Sequence, residues 1–236
     1  MRDKMTAEIQ KLEQEGIIEK VCGPTEWVSW IVTPPKPKSP DEIRFCVDMR
    51  NANRAILRTR HFTPTIEELT ADVNGATIYS KLDLKAGYHQ LELQPSCRYI
   101  TTFSTHVGLY QYRRLSFGIN SAAEIFQHTI QTLIADIPGA RNVSDYIVVF
   151  GKDQKEHDTA LANTLRRLHE SALTVSAKKC EFNKPNIEFF GHIFSANGLV
   201  PDPKKVKALQ DASEQRNPTE LRSFLGMTQY YHWPAS

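Results

Sequence analysis

Apolar residues recur along this chain with two periods. Met5, Ile9 and Leu12 fall at i, i+4 and i+7 and are followed by Gly16, which predicts a short amphipathic helix with a glycine stop. Two β-rich runs, WVSWIVTPP and IRFCVDM, flank the charged segment KPKSPDE and predict a hairpin with a basic tip, its first strand ended by the double proline. Thr63-Pro64 predicts a helix start and Asn74-Gly75 its end. In TIYSKLDL the apolar Ile78, Leu82 and Leu84 alternate with Tyr79, Lys81 and Asp83, which places Asp83 on the open face of a strand. YHQLEL, YITTFST and LYQYRRL read as further strands, the last two joined by a tight HVG turn.

Past residue 120 the period lengthens. Ser121 with Glu124 three residues on predicts a capping box, opening a helix whose buried stripe is Ala122, Phe126, Ile130 and Leu133. NVSDYIVVF reads as strand, tight turn and strand, with Asp145 at the turn. Asp153 and Glu156 begin another helix, with Leu161, Leu165 and Leu168 at helical spacing. IEFFGHIFSANGLV carries a hairpin signal at Ala196-Asn197-Gly198, and Pro203 and Pro218 each follow a capping residue and open closing helices. Strands and helices mixed without strict alternation, and without internal repeats, indicate an α+β class.

Composition narrows the function classes. The 236 residues are 40% hydrophobic, enough for a core. No apolar run approaches the roughly 18 residues of a membrane span, and the charged first segment is unlike a signal peptide, so no membrane role is expected. Cys22, Cys46, Cys97 and Cys180 are scattered without metal-finger spacing, which points to a reducing intracellular compartment, cytoplasm or nucleus. The net charge is only +2, yet residues 36 to 60 carry Lys36, Lys38, Arg44, Arg50, Arg54, Arg58 and Arg60 against Asp41, Glu42 and Asp48. That excess suits a polyphosphate or nucleic-acid partner, and it equally suits a solvated basic face.

Two carboxylates interrupt apolar strands: Asp83 in KLDL and Asp145 in VSDYIVV. Taken singly, each is an ordinary turn or strand-edge aspartate. As a pair on neighbouring strands they suit magnesium, which takes one or two carboxylates plus substrate phosphates, and a two-metal site suits in-line displacement at phosphorus.

The stretches IRFCVDMRNAN, SKLDLKAGYHQLEL, TTFSTHVGLYQYRRLSFGINSAAEIFQ, SDYIVVFGKDQKEH, LTVSAKKCEF, IEFFGHIFS and LRSFLGMTQY occur in this order. Together they resemble the reverse transcriptase of gypsy-class long-terminal-repeat retrotransposon polyproteins, over nearly the whole chain up to about Tyr230. The resemblance implies a right-hand polymerase fold: fingers at residues 1–75 with part of 90–120, palm at 76–195, and the start of a truncated thumb at 196–236. It implies an RNA-directed DNA polymerase that uses two magnesium or manganese ions, an RNA or DNA template with a DNA primer, and deoxynucleoside triphosphates, within a larger pol polyprotein. Asp83 and Asp145 resemble the metal-binding catalytic aspartates, with the Leu84 carbonyl as a further ligand. Lys85, Ala86 and Gly87 resemble the backbone that faces the triphosphate through its N–H groups, and Tyr88 the aromatic residue that excludes a ribose 2′-hydroxyl. Arg44 resembles the arginine over the triphosphate, and Lys38 or Lys36 the lysine that grips it. Phe117 and Gly118 resemble the segment beside the nucleotide, and Phe190, Gly191 and His192 the primer grip.

Tyr146 departs from the pattern, standing where the family has a second consecutive aspartate. Tyrosine is neutral near pH 7, so metal affinity and nucleotide addition are both expected to fall. Trp30 in a fingers strand, Ala172 at a turn suited to glycine or asparagine, and the ending QYYHWPAS also depart, as expected of a truncated or degenerating element without a ribonuclease H domain. A catalytically inactive nucleic-acid-binding remnant is the alternative. A metal-dependent nuclease also uses paired carboxylates, but leaves the fingers and grip stretches unexplained.

Overall fold

The computed structural model describes residues 2–33, 35–36, 39–43, 45–58, 61, 66–189, 191–212 and 217–230. Its centre is a four-stranded antiparallel sheet in the order Glu181–Lys184, Ile78–Asp83, Tyr146–Gly151, Ala140–Val143. Alternation along these strands divides the core between two faces. Leu82, Ile147 and Val149 pack against Phe126, Ile130 and Ile134 of the Ala122–Ile134 helix and Ala160 and Leu168 of the Gln154–Glu170 helix. Tyr79, Val143 and Val148 point the other way, onto Leu69 and Val73 of the Ile66–Val73 helix and onto Ile187, Phe189 and Phe194. The last three belong to a second sheet, Asn186–Phe189, His192–Ser195 and Gly198–Pro201, whose second turn is the hairpin expected at Ala196-Asn197.

That second sheet closes the face expected to be open. Asp83 shares a side with Tyr79 and is 4% exposed, and the turn before Glu181, which sets Lys179 over its carboxylate, is cover that alternation alone does not show.

A further core lies beneath the Arg2–Gln14 helix. Ile9 and Leu12 pack on Val47, Met49, Phe103 and Tyr110, with Met5 half-buried beside them and Gly16 in a left-handed conformation at φ +67°. A three-stranded sheet, Ile18–Lys20, Gly108–Tyr112 and Phe103–Thr105, supports this core, and its Thr105↔Gly108 pair is the tight turn expected at HVG. The expected hairpin forms as two antiparallel ladders, Ile31–Val32 with Cys46–Val47 and Pro35–Lys36 with Ser39–Ile43. The double proline therefore does not end it, and much of KPKSPDE is ladder instead of loop. Proline is tolerated there because the ladder has edges, where a missing N–H costs little. The helix start expected at Thr63-Pro64 lies outside the described residues.

Three other local expectations are corrected. Gly87–Gln90, which takes in the first half of YHQLEL, is a 3-10 turn because Ala86 and Gly87 enter it with φ of +58° and +48°, which breaks an extended run. Pro95–Thr101 is likewise 3-10, so of YITTFST only Phe103–Thr105 is strand. Ser121 makes no side-chain cap, and the Glu124 carboxylate is held by Arg58. In the Gln154–Glu170 helix the buried residues are His157, Ala160, Thr164 and Leu168, with Leu161 half-buried on the same core and Leu165 37% exposed, and His157 Nε2 lies 2.8 Å from Ser80 Oγ. The Asp153 cap does form, accepting from the Glu156 N–H at 2.8 Å, and Asp202 and Asn217 cap the Pro203–Gln210 and Pro218–Tyr230 helices in the same way.

Ala172 has φ +54°, a conformation costly for a side chain with a Cβ. Ala172→Gly is expected to raise the unfolding free energy by about 0.5–1 kcal/mol, read from the urea midpoint at unchanged m-value.

Candidate active site around Asp83 and Asp145

Asp83 ends its strand directly opposite Tyr146, and Tyr146 in turn opposes Val143 across a two-residue loop, Ser144-Asp145. The sheet thus brings Asp83 and the Asp145 loop together, and the Leu84 N–H donates to the Asp145 carbonyl at 2.9 Å. Asp145 itself is exposed. Its loop requires a left-handed residue, Ser144 at φ +54°, and is fixed from behind by Gln127. The Gln127 side chain, 2% exposed, accepts from the Ser144 N–H at 2.6 Å and donates to Asn142 Oδ1 at 2.7 Å and to the Asn142 carbonyl at 3.0 Å. Asn142 Nδ2 closes the circuit on the Ser144 carbonyl at 3.1 Å.

Among the described residues the Asp83 carboxylate meets one cation, Lys179 Nζ, 3.4 Å from each oxygen. Its backbone joins the same segment: the Asp83 carbonyl accepts from the Ser176 N–H at 2.8 Å, and its N–H faces Cys180 Sγ at 3.4 Å. Among the described residues no three His, Cys, Asp or Glu side chains are grouped to hold a metal ion. The donor set is two carboxylates, one shielded and one open to solvent. That set fits magnesium, whose remaining positions go to water and substrate oxygens.

Around the carboxylates the expected nucleotide contacts fall in part together. The Lys85 N–H is taken by the Thr174 carbonyl at 2.9 Å, so this amide is not open to a triphosphate as expected. Tyr88 packs between Phe117, tilted at 4.9 Å, and Phe126, edge-on at 5.5 Å, and burial first, then the charges of Asp145 and Glu124, raise its phenol pKa. Phe117 remains 57% exposed beside it. Gly118 has φ +93°, a conformation that favours glycine, and a Cβ there would meet Met49 Cγ at 3.3 Å, so the Met49 side chain would have to give slightly. Gly191 is held by its carbonyl to the Asp202 N–H at 2.8 Å, and His192 is buried. Lys38, Arg44 and Phe190 lie outside the described residues.

Tyr146 is built into the site as an apolar residue. Its ring packs edge-on against Phe189 at 5.8 Å, with Lys81 Nζ 6.0 Å from its centroid, and Lys81 is itself paired with Glu181.

Residues 34–194 match the family model described as reverse transcriptase (RNA-dependent DNA polymerase). The chain belongs to the reverse transcriptase family. Within it, the relatives are gypsy-class: the chain is 34% identical over 234 residues to the Retrovirus-related Pol polyprotein from transposon opus of Drosophila melanogaster, covering 98% of this chain and 23% of that protein. It is 31% identical over 236 residues to the corresponding polyprotein from transposon gypsy, covering 97% and 22%. The chain therefore spans under a quarter of these relatives. By fold it resembles a foamy viral protease-reverse transcriptase solved in complex with double-stranded DNA, at TM-score 0.85 and 21% identity over 97% of this chain and 40% of that one. A second, solved in complex with an RNA/DNA hybrid, gives TM-score 0.80 at 22% identity over 97% and 30%. The fold is the right-hand polymerase arrangement.

Two residues of this candidate site, Gln127 and Lys179, are not among those expected from the sequence. Gln127 announces itself only as a polar residue next to Phe126 in an apolar stripe, and Lys179 only as one of two lysines in KKCEF.

Proposed function

We propose that this reverse transcriptase domain adds deoxynucleotides to a DNA primer on an RNA or DNA template, and that Tyr146 impairs it. Fingers at residues 1–75 with part of 90–120, palm at 76–195 and the start of a thumb at 196–236 form the working parts. Asp83 and Asp145 hold the magnesium ions, with the Leu84 carbonyl as an added oxygen. Bound there, the ions supply a Lewis acid for the primer 3′-hydroxyl and charge neutralisation for the triphosphate. The amides of Ala86 and Gly87 present N–H groups to the phosphates, as left-handed turns do for anions. Arg44 and Lys38 or Lys36 neutralise the triphosphate from the fingers. Tyr88, wedged between Phe117 and Phe126, is held as a wall against a 2′-hydroxyl, and Phe117 with Gly118 borders the base. Phe190, Gly191 and His192 hold the primer end. The domain works inside the cell, within a larger Pol polyprotein.

The single observation that supports this reading is the register that sets Asp83 beside the Asp145 loop, tied by the Leu84 N–H to the Asp145 carbonyl. The test is magnesium-dependent extension of a DNA primer on an RNA template, with Asp145→Asn as blank. Low extension above the blank is expected; parent and blank behaving alike removes the enzymatic reading from this copy. Tyr146 favours a second reading, an inactive nucleic-acid-binding remnant, for which salt-dependent binding of template-primer without extension is the signature.

A further inference from the structure

In the polymerase site proposed for this chain, one contact has no part in nucleotide addition. Asp83 is a carboxylate whose side chain is only 6% exposed, and a lysine ammonium already lies across both of its oxygens. The geometry of the contact is set by the segment that carries it. The Ser176 N–H donates to the Asp83 carbonyl at 2.8 Å, the Lys179 N–H donates to the Ser176 carbonyl at 2.8 Å, and the Cys180 N–H to the same oxygen at 3.1 Å. The turn is therefore pinned to the backbone of Asp83 itself, and Lys179 projects from it over the carboxylate. The lysine stem is 69% exposed, so the ammonium can swing into solvent without disturbing the core. Lys81, the other lysine nearby, is not equivalent: it is held by Glu181 and by the Glu188 carbonyl.

We propose that Lys179 is the built-in counter-cation of the metal site: it neutralises Asp83 when no metal is bound and must leave before a divalent ion enters, so it sets the metal concentration the chain needs. The physical basis is competition for one carboxylate. A shielded Asp83 with no cation beside it is unfavourable, and the lysine removes that penalty in the metal-free protein. The same contact then opposes metal entry. In a site with three carboxylates one lysine is a small opponent, but Tyr146 leaves two, so Lys179 cancels half of the remaining negative charge.

The test reads metal binding directly. The full chain is titrated with Mn2+ and free ion followed by electron paramagnetic resonance, beside Lys179→Met, which keeps the stem and removes the charge, and Lys179→Arg, which keeps the charge. Lys179→Met is expected to bind Mn2+ about fivefold more tightly at low salt, the upper range for an exposed ion pair. The gain should shrink as KCl is raised. Lys179→Arg should bind within about twofold of the parent. In an Asp83→Asn background, Lys179→Met should change nothing. Equal or weaker binding by Lys179→Met overturns the inference while leaving the site assignment standing. Absence of Mn2+ binding by parent and Lys179→Met alike overturns both.

Discussion

Replacing Tyr146 by aspartate is expected to raise magnesium-dependent primer extension by about ten- to hundredfold, equivalent to about 1.4–2.8 kcal/mol of transition-state stabilisation. Tyr146 pairs directly with Asp83 in the sheet and follows Asp145, so a carboxylate here adds its charge beside the two already present. Unit charges about 6 Å apart at an effective dielectric near 20 interact by about 3 kcal/mol, which makes the expected gain moderate for one added charge facing divalent ions. The measurement is the initial rate of extension on an RNA template as magnesium is varied. A Tyr146→Asp protein with the parent's rate and the parent's magnesium dependence would show that the lost carboxylate is not what limits this copy.

The same substitution carries a cost in the metal-free protein. It removes a ring packed on Phe189 and sets two carboxylates opposite each other across the ladder, where like charges repel. Together these should lower stability by about 1–3 kcal/mol. Lys81, now near the tyrosine ring, moderates the repulsion. Added magnesium should therefore raise the thermal midpoint of Tyr146→Asp more than that of the parent. Tyr146 reads in this light as a residue that exchanges metal charge for apolar contact between the central sheet and the Asn186–Phe189 strand.

What the sequence discloses of this molecule divides by the range of the interactions involved. The central strands, the Asp145 turn and the Asp153, Asp202 and Asn217 caps depend on neighbours within a few residues, and each is legible from spacing and residue type. Ala172, marked by chemistry as ill-suited to its turn, has the positive φ that makes it so. The open face predicted for Asp83 fails because its cover comes from a turn about a hundred positions away, and period-two alternation carries no information about so distant a segment. The Ser121 box fails for a similar reason: Arg58, from far upstream, takes the carboxylate that the box needs. Lys179 reaches Asp83 only through the strand order that places Glu181–Lys184 at the edge next to Ile78–Asp83.

Gln127→Leu is expected to destabilise the protein by about 2–4 kcal/mol, because buried polar groups left without partners cost about 1–3 kcal/mol each. Leucine fills much of the same volume, so the loss reads out hydrogen bonds more than packing. The groups stranded are the Ser144 N–H and Asn142 Oδ1, the latter on a residue only 3% exposed. Gln127→Glu separates the two halves of the clamp. Its carboxylate still accepts from the Ser144 N–H, but it turns a lone pair toward Asn142 Oδ1 and the Asn142 carbonyl, where the amide now donates. Its destabilisation should therefore be real but smaller than that of leucine if the Ser144 bond dominates, and larger if the Asn142 bonds do. Urea unfolding of the three proteins ranks them. A Gln127→Leu protein within about 0.5 kcal/mol of the parent would mean that the loop keeps its shape without the clamp. The Leu84 N–H to Asp145 bond would then be its sufficient anchor. The consequence for the site follows from position: the clamp bonds Ser144, the residue before Asp145, so what it fixes is the direction in which that carboxylate leaves the turn. Combined with Tyr146→Asp, Gln127→Leu should cancel much of the gained extension at a temperature where the double variant is still folded, since a carboxylate restored to a loop that wanders cannot hold its charge where the metals need it.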